Sequence, residues 1–185
     1  MPISIPTVTL TEAQTLLALR SFLAAALPEA TPIVVGQDNR VPEPGSVDYV
    51  TMTPMFAERI ETNTDIFTDG YPAAPGTRTS LDPAKVTIQL DVHGPNSGDN
   101  QWAIITLFRS EWGVDQFAAS GFDVTPLYTD EPAHQIPFTN AEQQIENRWV
   151  ISCVMQANPV VVVPQDFMAA LKVGLIDVDV VYPPH

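Results

Sequence analysis

Proline constrains this chain most. There are 18 prolines in 185 residues, about twice the usual ~5%, and they are spread along the chain rather than gathered in a linker. Each fixes its own φ and removes a backbone donor. Prolines spread in this way are expected where elements, mostly short, are joined by many rigid loops. A length of 185 residues fits one domain spanning 1–185, large enough to bury a core without staples.

Between the prolines, periodicity marks the elements. Thr9-x-x-Glu12 matches a capping box, with Val8 and Ala13 placed as a hydrophobic staple. Leu16, Leu19, Leu23, Ala26 and Leu27 recur at helical spacing up to Pro28, predicting a helix over about 10–27. Val47–Thr53 reads as a strand, continued by Met55–Glu61. Residues 63–82 carry turn signals and little periodicity, so they read as a long loop. Val86, Ile88, Leu90 and Val92 alternate with Thr87, Gln89, Asp91 and His93, which predicts a half-buried strand. A second helix, capped by Asp99, has Trp102, Ile105, Phe108 and Trp112 as its apolar stripe. Gly113 breaks it, and a last turn ends at Gly121. Phe122–Tyr128 reads as a short strand, and residues 129–142 as a loop. A long strand places Ile145, Trp149, Ile151, Cys153 and Met155 on one face and Glu146, Arg148, Ser152 and Gln156 on the other. NPVVVVP reads as a short buried strand or strand edge. A brief helix over about 165–172 and a strand holding Ile176, Val178 and Val180 close the chain. Strands that cluster as hairpins predict an α+β fold, a mostly antiparallel sheet with two main helices on one face and long loops.

Charge restricts the partners. The 22 acidic and 8 basic residues give a formal net charge of −14. The cations are scattered, so the basic footprint of a nucleic-acid binder is missing, and an anionic membrane would also repel the chain. No apolar run approaches the ~20 residues that cross a bilayer. The start, MPISIPTVTLTEAQ, lacks the pattern of a secretory signal. The single cysteine, Cys153, excludes an internal disulfide and fits an intracellular folding compartment.

No catalytic constellation stands out: there is no phosphate loop, GxSxG elbow or HExxH pattern. Asp91-x-His93 is the best metal candidate, since i and i+2 on a strand share a face. Further ligands are missing nearby, and a solvent-facing strand edge is the stronger reading. Asp177-x-Asp179 has the same alternative explanation. Cys153 paired with His134 could form a nucleophilic dyad, but Cys153 falls on the apolar face between Ile151 and Met155, where a buried thiol is inert. Trp102, Trp112 and Trp149 read as core. These residues predict no enzyme, no cofactor and no metal. The loop over 63–82 offers Asp65, Phe67, Asp69 and Tyr71, and with the flanking Arg59 and Arg78 these are the candidate interface residues. Phe67 and Tyr71 could equally pin the loop to its own domain.

The run VTIQLDVHGPNSGDNQW (86–102), then PFTNAEQQIENRW (137–149), NPVVVVPQDF and the closing D-V-x-Y-P, resembles the neck terminator (tail terminator) family of tailed bacteriophages. The resemblance spans about 10–182 and is carried by the order and spacing of the segments. It implies a structural virion protein at the neck and tail junction, assembled in the host cytoplasm. Such a protein forms a ring, usually a hexamer, that terminates the tail tube and joins the tail to the head. The implied partners are further copies of itself, the tail tube protein and a head-completion or connector protein, with DNA passing through the lumen without specific binding. Head–tail connector rings (stopper or adaptor) and a small metal-dependent enzyme are the competing readings. No catalytic residue comes with the resemblance.

Overall fold

In a computed structural model, residues 5–36, 44, 48–70, 76–129, 133–139 and 145–167 are described. In chain order they form β1 (Thr7–Val8), α1 (Glu12–Ala26), β2 (Ile33–Val35), β3 (Tyr49–Arg59), β4 (Thr64–Thr68), β5 (Thr77–Leu81) and β6 (Ala84–His93). There follow α2 (Ser97–Phe108), α3 (Glu111–Ala119), β7 (Val124–Thr129), β8 (His134–Gln135), β9 (Phe138–Thr139), β10 (Ile145–Glu146), β11 (Arg148–Ala157) and β12 (Val160–Pro164). The class is α+β, as the sequence predicts. Among the described residues, no helix is long and apolar enough to cross a membrane.

Helix α1 starts two residues later than the sequence signature suggests. Its cap is Thr11, whose hydroxyl accepts from the Gln14 amide at 3.3 Å while the Gln14 side chain accepts from the Thr11 amide at 2.8 Å. Thr9 is committed elsewhere: its amide donates to the Val160 carbonyl, and its hydroxyl accepts from the Val160 amide. A residue held in a strand ladder is not free to cap. Val8 is likewise an exposed strand residue rather than a staple. The helix buries Leu16, Leu19, Phe22 and Leu23, and Pro28 follows its end.

The second helix divides earlier than expected. Ser110 is extended (φ −89°, ψ 161°) and caps α3 by accepting from the Gly113 amide at 3.1 Å. Gly113 thus sits inside α3 rather than breaking a helix. A Cβ there would lie 2.3 Å from the Leu107 carbonyl oxygen, so only glycine lets α3 fold this closely onto α2. The buried positions of α2 include Gln101, Ile104 and Phe108, and Trp102 points outward at 66% exposure. Trp112 is partly exposed and Trp149 half-buried, so none of the three tryptophans is a deep core residue. The rings that join the helices are Phe22, Phe108 and Phe117, with centroids 5.5–5.7 Å apart.

The helices cover one face of a main sheet ordered β2-β3-β6-β11-β7, with β8 also paired to β11. Among the described residues, only the β2–β3 pairing is parallel. Core residues from this face are Val50 and Met52, Ile88 and Leu90, and Ile151, Cys153 and Met155. Ile145 does not join that face. It lies on β10, paired to β9 within the segment read as a loop, and is 80% exposed.

A second sheet, ordered β1-β12-β5-β4, replaces the loop expected over 63–82. Its strands continue those of the main sheet in the same order: β3 runs into β4, β6 follows β5, and β11 runs into β12. Pro83 and Pro159 stand at two of these junctions. Each lacks an N–H, so the ladder is interrupted there. Single bonds bridge the break, from the Ile60 amide to the Pro83 carbonyl at 3.0 Å and from the Asp82 amide to the Pro159 carbonyl at 3.2 Å. The result is one long ribbon of three strands, its ladder interrupted at its prolines. Residues 165–167 are neither helix nor strand. The rest of the brief helix predicted to 172, the closing strand around 176–180, and Asp177 and Asp179 lie outside the described residues.

Candidate assembly surface

Among the described residues, the second sheet forms an arm with no core of its own. The residues of β1 and β4 are mostly exposed, those of β5 and most of β12 half-buried, and none is buried. The four valines of β12, which suggested a buried strand, are therefore not buried. Exposure begins upstream, where β3 leaves the main sheet. Tyr49–Thr53 are buried or half-buried, and every residue from Met55 to Arg59 is exposed. A bulge between Pro54 and Phe56 marks the change.

Large apolar side chains collect on this arm. Met55 is 43% exposed, Phe56 61%, Ile60 49%, Ile66 56% and Phe67 55%. Beside them a groove of about 370 Å³ opens between the first turn of α1 and the ends of β3, β6 and β11. Leu10, Met55, Phe56, Val86 and Ile88 are among its lining residues.

The candidate interface residues fall mainly on this arm. On β4, the Asp65 carboxylate accepts from Arg78 and Ser80 across the strand pair and from Asn63 at 3.1 Å. The Ser80 hydroxyl, then the Arg78 guanidinium, hold its pKa below the ordinary aspartate value. Phe67 shares that face, and the Arg78 guanidinium lies 5.7 Å from its ring centroid. The structure thus brings Asp65, Phe67 and Arg78 together. Arg59 sits apart at the end of β3, paired with Asp82 at 2.8 Å. Asp69 is exposed just beyond β4. Tyr71 lies outside the described residues. Met55, Phe56, Ile60 and Ile66 are exposed on β3, β4 and the turn between them, Ile66 on the face of β4 opposite Phe67, and the reading from sequence passed over them.

The best metal candidate has another role. Asp91 and His93 lie on β6, in the middle of the main sheet, and are 7% and 6% exposed, so neither is on a solvent-facing edge. The Asp91 carboxylate accepts from Arg148 Nη2 at 2.6 Å and Nε at 3.0 Å, and from Gln89 Nε2 at 3.0 Å. That charge is already matched by a guanidinium. His93 stacks on Tyr49, with centroids 4.3 Å apart, and its Nδ1 lies 3.8 Å from Glu146. Among the described residues, no group of three or more His, Cys, Asp or Glu side chains is placed to hold a metal ion. Cys153 is fully buried on the helix side, whereas His134 is exposed and pairs with Val150, whose side chain faces away from the helices. The two do not form a dyad.

What the geometry offers is an exposed apolar surface along the outer ends of β3 and β4. A search of curated proteins finds no match. A family model described as phage neck terminator protein matches residues 16–179, a span covering both helix-bearing and arm segments. The chain belongs to the phage neck terminator protein family.

Proposed function

We propose that this structural protein of the phage neck works as a ring subunit, usually one of six, at the head-proximal end of the tail. There it ends the tail tube and connects it to the head. The observation that carries this reading is the uncovered arm. Five large apolar side chains between Met55 and Phe67 are roughly half exposed, more than a free-standing monomer has reason to show. A chain whose work is assembly exposes such a surface until its neighbours cover it. Arg59, Asp65, Phe67, Asp69, Tyr71 and Arg78 are proposed contact residues of that surface. The further partners are the tail tube protein on one side and a head-completion or connector protein on the other.

The charge supports the same reading. At −14, a ring of these chains repels phosphate, and DNA passing through its lumen meets no specific site. Function here is contact and exclusion rather than catalysis. Assembly is proposed to occur in the host cytoplasm, before the virion is complete.

Deleting the chain from its phage tests the role. A terminator's loss leaves tubes without a defined end and heads unjoined, as electron microscopy of lysates would show. Tails of normal length, merely detached from heads, would instead assign the chain to a connector ring.

A further inference from the structure

Where the arm joins the main sheet, each ladder has lost half of a rung. Residues that face each other in a hydrogen-bonded antiparallel pair ordinarily exchange two bonds. Ile60 and Pro83 stand in this relation, and so do Asp82 and Pro159. The Ile60 amide donates to the Pro83 carbonyl at 3.0 Å, and the Asp82 amide to the Pro159 carbonyl at 3.2 Å. Neither proline has an N–H to return. On either side of this level the pairings are regular: Ala84 faces Arg59 and Ala157, and Leu81 faces Thr64 and Val160. On the outer strand the count also slips, with residues 60–63 standing opposite only 82–83.

The main-sheet side of the break is anchored. Asn158, just before Pro159, is held by Asp123: its amide donates to the Asp123 carbonyl at 3.2 Å and its side chain to the Asp123 carboxylate at 2.8 Å. The arm side has no such support. Among the described residues, none from β1, β4, β5 or β12 belongs to the buried core, so core packing does not fix the angle of the arm. Arg59 and Asp82 pair at the junction, but with side chains 60% and 37% exposed such a contact holds little.

The crossings lie in a row. Residues 9–11, 158–159, 82–83 and 60–63 carry the chain between the arm and the rest, in the order β1-β12-β5-β4 of the arm's strands. A row of short connections resists sliding and turning within the plane of the sheet. It leaves one soft motion, a tilt about the line through them, toward or away from the helices. We propose that the arm is a hinged flap that tilts about the line of Pro83 and Pro159 while both sheets stay intact. A hinge needs a few residues that absorb changes in φ and ψ; here these are the neighbours of the prolines, whose own φ is fixed. Strand β4 spans five residues, about 17 Å at ~3.3 Å each. A tilt of about 20°, no more than the twist between neighbouring strands, moves its tip by about 6 Å. The hinge belongs to the single chain and does not depend on the ring. A neighbour that seats one tilt selects it from the range the free arm samples.

Double electron–electron resonance between paired nitroxide labels tests it, on the full chain diluted with unlabelled chain. Cys153 is buried, so labels go on cysteines introduced at exposed positions. Ala24→Cys with Thr68→Cys joins α1 to the arm tip. Ala24→Cys with Thr125→Cys stays outside the arm, and Thr7→Cys with Thr68→Cys stays within it. The expected result is a distance distribution for the first pair roughly twice as wide as for the other two. Pro83→Val/Pro159→Val, which restores the missing donors, should narrow it. A first pair as narrow as the second overturns the hinge. So does an arm pair as broad as the first, because the motion then lies within the arm. A breadth that the double variant leaves unchanged, while keeping the native circular dichroism spectrum, overturns the role of the prolines. Should the double variant misfold, the three pairs on the native background decide.

Discussion

Asp65 shows how a single side chain tunes the arm. Its ionised form accepts from Ser80, Arg78 and Asn63, so its native pKa lies below the ordinary 3.8. The folded state therefore binds this proton more weakly than the unfolded state. The stabilisation is complete above 3.8 and is lost as pH falls through the lower native value. Asp65→Asn should lower the thermal midpoint at pH 7 and leave it unchanged near pH 2, as calorimetry at the two pH values would show. Equal effects at both would mean that the carboxylate's charge does not matter. Asp91 behaves differently because it is buried. Removing its partner in Arg148→Met strands a carboxylate in the sheet and should cost about 3 kcal/mol. Adding Asp91→Asn should recover much of that loss in urea denaturation. Alternation correctly put Asp91 and His93 opposite the core face. It could not say that Arg148 and Tyr49 on neighbouring strands, with Gln89 on the same strand, would cover them, because cross-strand neighbours are absent from a local pattern.

At the scale of elements, sequence was most legible where burial is one-sided. The apolar faces of α1, β6 and β11 were readable because packing against one partner imposes a period. The cap of α1 was misplaced by two residues because Thr9 and Thr11 both suit it, and only the β12 ladder decides between them. Thr11→Ala should destabilise the chain by about 1 kcal/mol. Phe22→Ala, which opens the ring cluster shared by the three helices, should cost about 3–5 kcal/mol. Chemical denaturation would measure both, and an inert Phe22→Ala would contradict the packing described. Strands β4 and β5 were illegible for a physical reason: neither face is buried in one copy, so neither shows an apolar period. The available signal was their composition, threonine-rich β-formers on either side of GYPAAPG. The tryptophans misled for the converse reason. Their size suggests core, yet among the described residues Trp102 is 66% exposed, because the stripe of α2 that is buried runs through Ile104 and Phe108.

Across the whole molecule, the helices and the core belong to one part of the strands, and the second sheet, which holds none of the buried core among the described residues, to the other. The three central strands cross from a covered sheet into an uncovered one at a bulge and two proline junctions. On the proposed function, the chain folds on one half and assembles with the other. The acidity of the whole opposes association of unassembled copies, so contact between them has to be carried by apolar and backbone groups. Light scattering on the purified chain, alone and mixed with tail tube protein, tests this account most directly. The account predicts a discrete species several times the 20.2 kDa of one chain, formed alone or on the tube. A 20.2 kDa particle that persists at every concentration and ignores the tube would contradict it.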